Sequence, residues 1–301
     1  VQAQLNTTSV DGLPPTEAIL RRLRLGIDFR INDFISGRIH PELSSSQLSL
    51  GDAYGQLNFS PAAQLQVGRF QRPFGTIEEQ SSLRILPIER GTRIRGVTDA
   101  ELSGILSALR YGDRDTGIQL RGAPPGAPLG LSYNLALFAG PLQGTSGDQL
   151  THQAIARLTV APFDGFSIGA GVNHRQFIDP TEGGDLDGGN AYVINAELGG
   201  PAPEPGLHIV AEAATGDYNP VVGEAFKGVQ AYTGYRIPGG QRVMVIEPIF
   251  RVSYGSVDRV TDTAIRGGTL LTPGLNLYLG GLNRLDAQLR HLEPRSGQDG
   301  E

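Results

Sequence analysis

The chain has 301 residues and a mass of 32.0 kDa, room for one large domain or two ordinary ones. Its 25 basic and 31 acidic residues give a net charge of −6 and a pI near 5.4, a balance that argues against a nucleic-acid binder, and the absence of cysteine excludes disulfides, thiolate metal sites and a cysteine nucleophile. The 42 glycines disfavour a helical protein, and no apolar run approaches the roughly 20 residues of a spanning helix.

A mean hydropathy of −0.16 suits a soluble chain, but it equally suits a membrane β-barrel, whose lipid-facing and lumen-facing residues average out. The start, Val1-Gln2-Ala3-Gln4, has no basic or apolar leader, as in a cytosolic protein or a processed mature chain. Residues 1–17 show no clear period and read as a periplasmic extension ahead of the first strand. The first clear element follows. Leu23, Leu25, Ile27, Phe29 and Ile31 share one parity; Arg22, Arg24, Gly26, Asp28 and Arg30 share the other. In a strand these sets lie on opposite faces, whereas a helix would scatter the arginines.

The alternation recurs along the chain. It is seen at Ile35–Ile39, Leu57–Phe59, Leu65–Val67, Ile118–Leu120, Leu131–Leu137, Ala156–Val160 and Phe166–Val172. Further segments are Ala191–Leu198, Leu207–Ala214, Val229–Ile237, Val243–Tyr254, Thr269–Leu279 and Leu285–His291. Together they predict an all-β, antiparallel up-and-down barrel of about 14 to 16 strands over residues 18–301. Tight connections such as Ile31–Phe34, Ser60–Ala62, Ala161–Gly165, Pro238–Gly240 and Gly280–Asn283 alternate with long polar ones at 41–47, 72–113, 140–150, 178–190, 215–228 and 255–267. Short turns at one end and long loops at the other fit an outer-membrane barrel. A soluble β-sandwich gives the same alternation. The barrel is favoured by the unbroken series of hairpins and by fixed charges on the polar face of successive strands. That face is assigned Arg22, Arg24, Arg30, Arg38, Arg121, Arg157, Arg175, Arg236, Arg251 and Arg290. Its acids are Asp28, Asp52, Asp115, Glu197, Glu212, Glu247 and Asp286.

Several stretches resemble the phosphate-selective porin O and P family. Leu48-Ser-Leu-Gly-Asp-Ala-Tyr54 through Leu65-Gln-Val-Gly-Arg-Phe-Gln-Arg-Pro-Phe-Gly75 is similar to its DAY strand and the following PFG strand, and Thr76–Ser82 continues in the family's manner. Asp113–Arg121, Leu131–Pro141, Phe226–Tyr232, Glu247–Tyr254 and Gly274–Tyr278 resemble later strands in the family's order. The resemblance spans about residues 20–292 and implies a bacterial outer-membrane porin, embedded in lipid and assembled as a homotrimer, with no enzymatic activity and no cofactor. The family's phosphate selectivity rests on a lumen rich in lysine and arginine. Here Lys227 is the single lysine, so arginine takes that place, holding oxyanions as a bidentate fork. The tail after His291 reads as a loop, which leaves closure to another segment or to a strand outside these residues.

Arginines outnumber acids on the predicted lumen face although the whole chain is acidic. A passage with such fixed charge concentrates the opposite ion, so the solutes expected are small and anionic, phosphate-like or other inorganic anions. The long loop 74–110 carries Arg84, Arg90, Arg93 and Arg95 beside Glu78, Glu79, Glu89, Asp99 and Glu101. It is expected to fold into the lumen as a constriction; the alternative is an extracellular lid or partner-binding loop. The 5 histidines match no zinc spacing, and Asp185 and Asp187 in Glu182–Asn190 make a weak calcium candidate whose simpler reading is a flexible acidic loop. No serine elbow is found. Three functions follow: a diffusive porin, a plugged barrel that scaffolds a larger surface assembly, and a soluble β-rich binding protein.

Overall fold

The computed structural model describes residues 2–7, 16–43, 48–80, 85–91, 101–109, 111–139, 150–178, 186–200, 204–219, 223–240, 243–258, 267–280 and 283–295. Its strands are β1 (Gln2–Thr7), β2 (Thr16–Arg24), β3 (Ile27–Arg30), β4 (Ile35–Leu43), β5 (Leu48–Ser60), β6 (Ala63–Gln71), β7 (Arg114–Gly122), β8 (Ser132–Phe138) and β9 (Leu150–Phe163). They continue with β10 (Phe166–Ile178), β11 (Leu186–Leu198), β12 (Gly206–Asn219), β13 (Glu224–Pro238), β14 (Val245–Asp258), β15 (Gly267–Gly280), β16 (Asn283–Gln288) and β17 (His291–Arg295). β2 and β3 are two parts of one strand interrupted at Leu25-Gly26, and both pair with β4; β16 and β17 likewise both pair with β15. The sheet therefore has 15 antiparallel strands in up-and-down order, within the expected range.

Each strand pairs with its sequence neighbours, from β1–β2 through β15–β16. With 15 strands in strict alternation, the two outer strands run in the same direction, and no ladder among the described residues joins them. Residues 2–7 pair with β2, with one register shift between Gln2 and Ala3, rather than standing apart from the ladder. Near the other end, β17 continues the sheet to Arg295, beyond the point where the tail reads as loop, with Leu292 opposite Leu270. Pro294 lies on this outermost strand of the described residues, a position where proline is tolerated.

The connections divide as the sequence suggests. At one end the turns are short. Asn32 Oδ1 accepts from the backbone N–H groups of Phe34 and Ile35 at 2.9 and 2.7 Å, closing the β3–β4 turn. Gly165 adopts φ 78° in the β9–β10 turn, a conformation that costs other residues energy. The loop-end strands run further than alternation alone implies: β11 begins at Leu186, β12 ends at Asn219, β13 begins at Glu224 and β14 ends at Asp258.

One face of the sheet is an apolar hull. Ile27, Leu137 and Ile194 are 61%, 59% and 63% exposed, and Leu25, Val67, Leu158, Val229, Phe250 and Leu285 stand on the same side. Outward apolar side chains on this scale find a suitable solvent in lipid, not in water. Near the short-turn end, Phe34 packs edge-on against Phe59, Phe163 stacks on Phe166, and the Tyr133 hydroxyl donates to Ala62 O at 2.8 Å. These rings sit where a membrane-interface girdle belongs. No helix among the described residues is long and apolar enough to cross a membrane; the strands form the wall.

Candidate functional site: the inserted segment and the polar passage

The connection between β6 and β7 turns inward. It contains helix α1 (Thr76–Glu79) and helix α2 (Leu102–Ala108), and its described residues lie against the inward faces of β9 to β16. Backbone that is neither strand nor long helix carries polar groups needing partners. The wall supplies them. Arg251 Nη1 donates to the carbonyls of Glu89 and Arg90 at 2.8 and 2.6 Å, and Gln230 Nε2 donates to Arg90 O at 3.2 Å. Asn276 Nδ2 donates to Leu86 O at 3.0 Å, and Arg284 Nη1 to Ile85 O at 2.7 Å. The N–H of Ile77 donates to Glu212 Oε2 at 3.2 Å, while Arg157 donates to Glu79 and Thr76. Arg175 donates to Leu109 O at 3.1 Å and lies 4.2 Å from the centre of the Tyr111 ring. Burial pushes the Tyr111 phenol well above its ordinary pKa, so the ring stays neutral beside that cation.

Apolar contacts complete the docking. Leu102, Ile105 and Leu106 of α2 are buried with Phe74, Tyr111, Phe226 and Val257; Ile77 and Leu86 form a second cluster with Val210, Tyr232 and Ile249. Glu101 caps α2 by accepting from the N–H groups of Ser103 and Gly104 at 3.1 and 2.7 Å, and it accepts from Ser253 Oγ at 2.6 Å. The helix lies so close to the wall that a Cβ on Gly255 would stand 2.6 Å from the Glu101 carbonyl carbon. On β11 to β15 the inward face is therefore partly a dry core, which the simple division into lipid side and water side does not anticipate.

Among the described residues, a polar cavity of about 300 Å³ lies between the segment and the β4–β8 wall. Arg38, Arg114 and Arg121 enter it from the wall and Arg90 from the segment, against the acids Asp52 and Glu79. Arg38 pairs with Asp28 at 2.5 Å, and Arg114 Nε with Asp52 at 2.7 Å. His40 Nδ1 lies 3.4 Å from the other Asp52 oxygen. Among the described residues, Arg121 and Arg90 hydrogen-bond only to neutral oxygens: Arg121 to Gln56 Oε1 at 2.7 Å, Arg90 to the carbonyls of Ile77 and Gln80. Burial raises the Glu79 carboxyl above its ordinary pKa, with Arg157 and Arg121 acting in the opposite sense.

The predicted lumen arginines thus separate into groups. Arg38 and Arg121 line the open cavity. Arg157, Arg175, Arg236 and Arg251 are inward but buried; three grip the inserted segment, and Arg236 bonds Glu247, His208 and Gly200 O. Arg30 sits at the exposed turn end with Asp33, 3.1 Å away. Arg22 and Arg24 lie on β2, their side chains outside the described set, as are Arg84, Arg93, Arg95, Asp185 and the Asp187 side chain. Of the loop acids, Glu79 reaches the cavity, and Glu78 is buried against Gly112. Alternation does not identify Arg114, whose parity opposes that of Arg121 but whose guanidinium reaches Asp52 from the mouth of β7. His174 bonds Asn190 on the hull side, and no group of metal-ligand residues occurs among the described residues.

The model of the family "Phosphate-selective porin O and P" matches residues 8–197. The chain belongs to that family. Solved porins share its fold along nearly the whole length. OmpF of Salmonella typhi, in complex with daunomycin, is 13% identical with a TM-score of 0.68, covering 97% of this chain and 88% of its own. The outer-membrane channel DcaP of Acinetobacter baumannii is 15% identical with a TM-score of 0.61, covering 93% and 80%. OmpT of Vibrio cholerae in its trimer form is 12% identical with a TM-score of 0.57, covering 97% and 85%. No curated protein sequence matches this chain. The porin is an outer-membrane channel protein of bacteria, as its family and fold require.

Proposed function

We propose that this porin lets small anions diffuse through the polar cavity, with the segment 74–110 as its constriction. The observation that carries the reading is the pair Arg90 and Arg121, two permanently charged groups on opposite sides of the cavity whose hydrogen-bond partners are neutral. Fixed positive charge between low-dielectric walls raises the local concentration of anions. Lys227, the single lysine, is exposed on the hull parity of β13, so cationic character in the passage falls to arginine. Inorganic phosphate, chloride and small organic anions all meet this requirement. We further propose a homotrimer in the membrane, supported by family membership.

The test is a reversal potential across a planar bilayer under a potassium chloride gradient. The expected sign is chloride over potassium, and Arg121→Gln weakens it. A potassium preference would refute the reading. A second reading, a plugged scaffold barrel, is favoured by the dry core that fills the β11–β15 side. It predicts little or no single-channel conductance from folded protein.

A further inference from the structure

The cavity holds more than its charges. Beside Arg121 stand the carboxamides of Gln66, Gln119 and Asn134. Gln66 is 3% exposed, and its Oε1 has no hydrogen-bond partner among the described residues; neither has Arg121 Nε. Gln119 Nε2 donates to Asn134 Oδ1 at 2.6 Å, fixing that pair with further donor and acceptor capacity on each amide.

An ionised carboxylate only accepts hydrogen bonds, so Arg121 suits it and amide or carboxylate oxygens do not. A hydroxyl group both donates and accepts, and it matches an amide in either sense. A buried polar atom without a partner costs free energy that a complementary solute group recovers. We infer that the passage favours anions carrying hydroxyl groups, of the sugar-acid class, over bare anions of equal charge. The anionic head meets the Arg121 guanidinium while hydroxyls meet Gln66 and the Gln119–Asn134 pair. The inference rests on the anion passage proposed above and adds a second selectivity to it.

D-glycerate and propionate share a three-carbon skeleton and one charge and differ by two hydroxyls, so they isolate the effect. Permeabilities of both relative to chloride come from reversal potentials with the native porin in planar bilayers. Glycerate is the bulkier ion, so a passage acting by size alone favours propionate. The expected glycerate-to-propionate ratio is about 3, the factor of one modest net hydrogen bond. Gln66→Leu and Gln119→Leu are expected to bring it to 1 or below while leaving the chloride-over-potassium preference unchanged. A native ratio of 1 or less overturns the inference, and this arm needs no variant to fold. A native ratio above 1 that persists in both folded variants also overturns it, since the discrimination then lies elsewhere. Potassium preference in the native protein refutes the anion passage itself, so the two failures are distinct.

Discussion

Replacing Gly255 by leucine is expected to lift helix α2 off the wall and widen the passage. A Cβ at this position would stand 2.6 Å from the Glu101 carbonyl carbon and from Ile105 Cδ1, where ordinary contact begins at 3.4 Å. Alanine asks the helix to yield by less than an ångström, an overpacking cost of about 1–3 kcal/mol. Leucine sets three further carbons into the same space; the Ile105 tip can turn aside, but the Glu101 backbone at the helix cap cannot. Undocking exposes Leu102, Ile105 and Leu106, all buried, at about 1.5–3 kcal/mol each, roughly 5–9 kcal/mol together. The alanine cost lies below that sum, so Gly255→Ala keeps the helix seated; the leucine cost reaches it. No strand ladder passes through α2, so the barrel stays folded and retains heat-modifiable migration. Single-channel conductance in planar bilayers should be near native for Gly255→Ala and raised for Gly255→Leu. Gly55→Leu is the control, because no atom lies within 4 Å of a Cβ there. Native conductance from folded Gly255→Leu would refute the docking argument.

Other outcomes follow from the passage and the hull. Because burial raises the pKa of Glu79, its protonation begins at higher pH than in a free glutamate; falling pH then removes a negative charge from the passage and anion preference rises. Glu79→Gln should show the higher preference at every pH, and identical profiles for variant and native protein would sink this assignment. On the hull, Leu135→Arg should cost about 2–4 kcal/mol if that site lies near the bilayer midplane. The check is the urea dependence of folding into vesicles, and an unchanged midpoint would place Leu135 away from lipid.

The wall was legible in the sequence because a strand pair enforces a period of two and lipid on one side makes the period visible. Leu25, Ile27 and Phe29 are exposed on the hull as their parity implies. The interior was less legible for an equally physical reason. Alternation reports which face a residue takes, not what meets it there. Arg121 and Arg251 share a parity class, yet one enters a polar cavity and the other is buried beneath the carbonyls of residues 89 and 90. The difference lies in the path of a segment that contacts the wall more than 100 residues away in sequence. Its docking left a faint local trace: Leu102, Ile105 and Leu106 at helical spacing behind an acidic cap, facing Gly228 and Gly255. Phe226 and Val257 likewise stand on the polar parity of their strands, a breach of the pattern that marks where the interior is dry.

The buried pair Arg236–Glu247 shows how charge inside this barrel divides between structure and passage. Arg236 Nε donates to Glu247 Oε1 at 2.7 Å, with both side chains almost wholly buried. Arg236 Nη1 also donates to Gly200 O at 2.8 Å, tying down the turn between β11 and β12. The second Glu247 oxygen accepts from Asn276 Nδ2 at 2.9 Å and from the Tyr278 hydroxyl at 3.0 Å. Arg236→Met strands a buried carboxylate, and the expected loss is about 3–5 kcal/mol. Removing both charges usually restores most of such a loss, because no charge is then left desolvated without a partner. Here Arg236→Met combined with Glu247→Leu removes the stranded carboxylate but still leaves Gly200 O, His208 Nδ1 and the Tyr278 hydroxyl without their native partners, so the recovery is incomplete. The double variant should therefore unfold in urea between the single variant and the native protein. A double variant as stable as native would mean that the pair and its satellites contribute nothing beyond filling space. Both variants should keep the native chloride-over-potassium preference, because Arg90 and Arg121 are untouched; a change in ion preference would show that charge beneath the plug still acts on the passage.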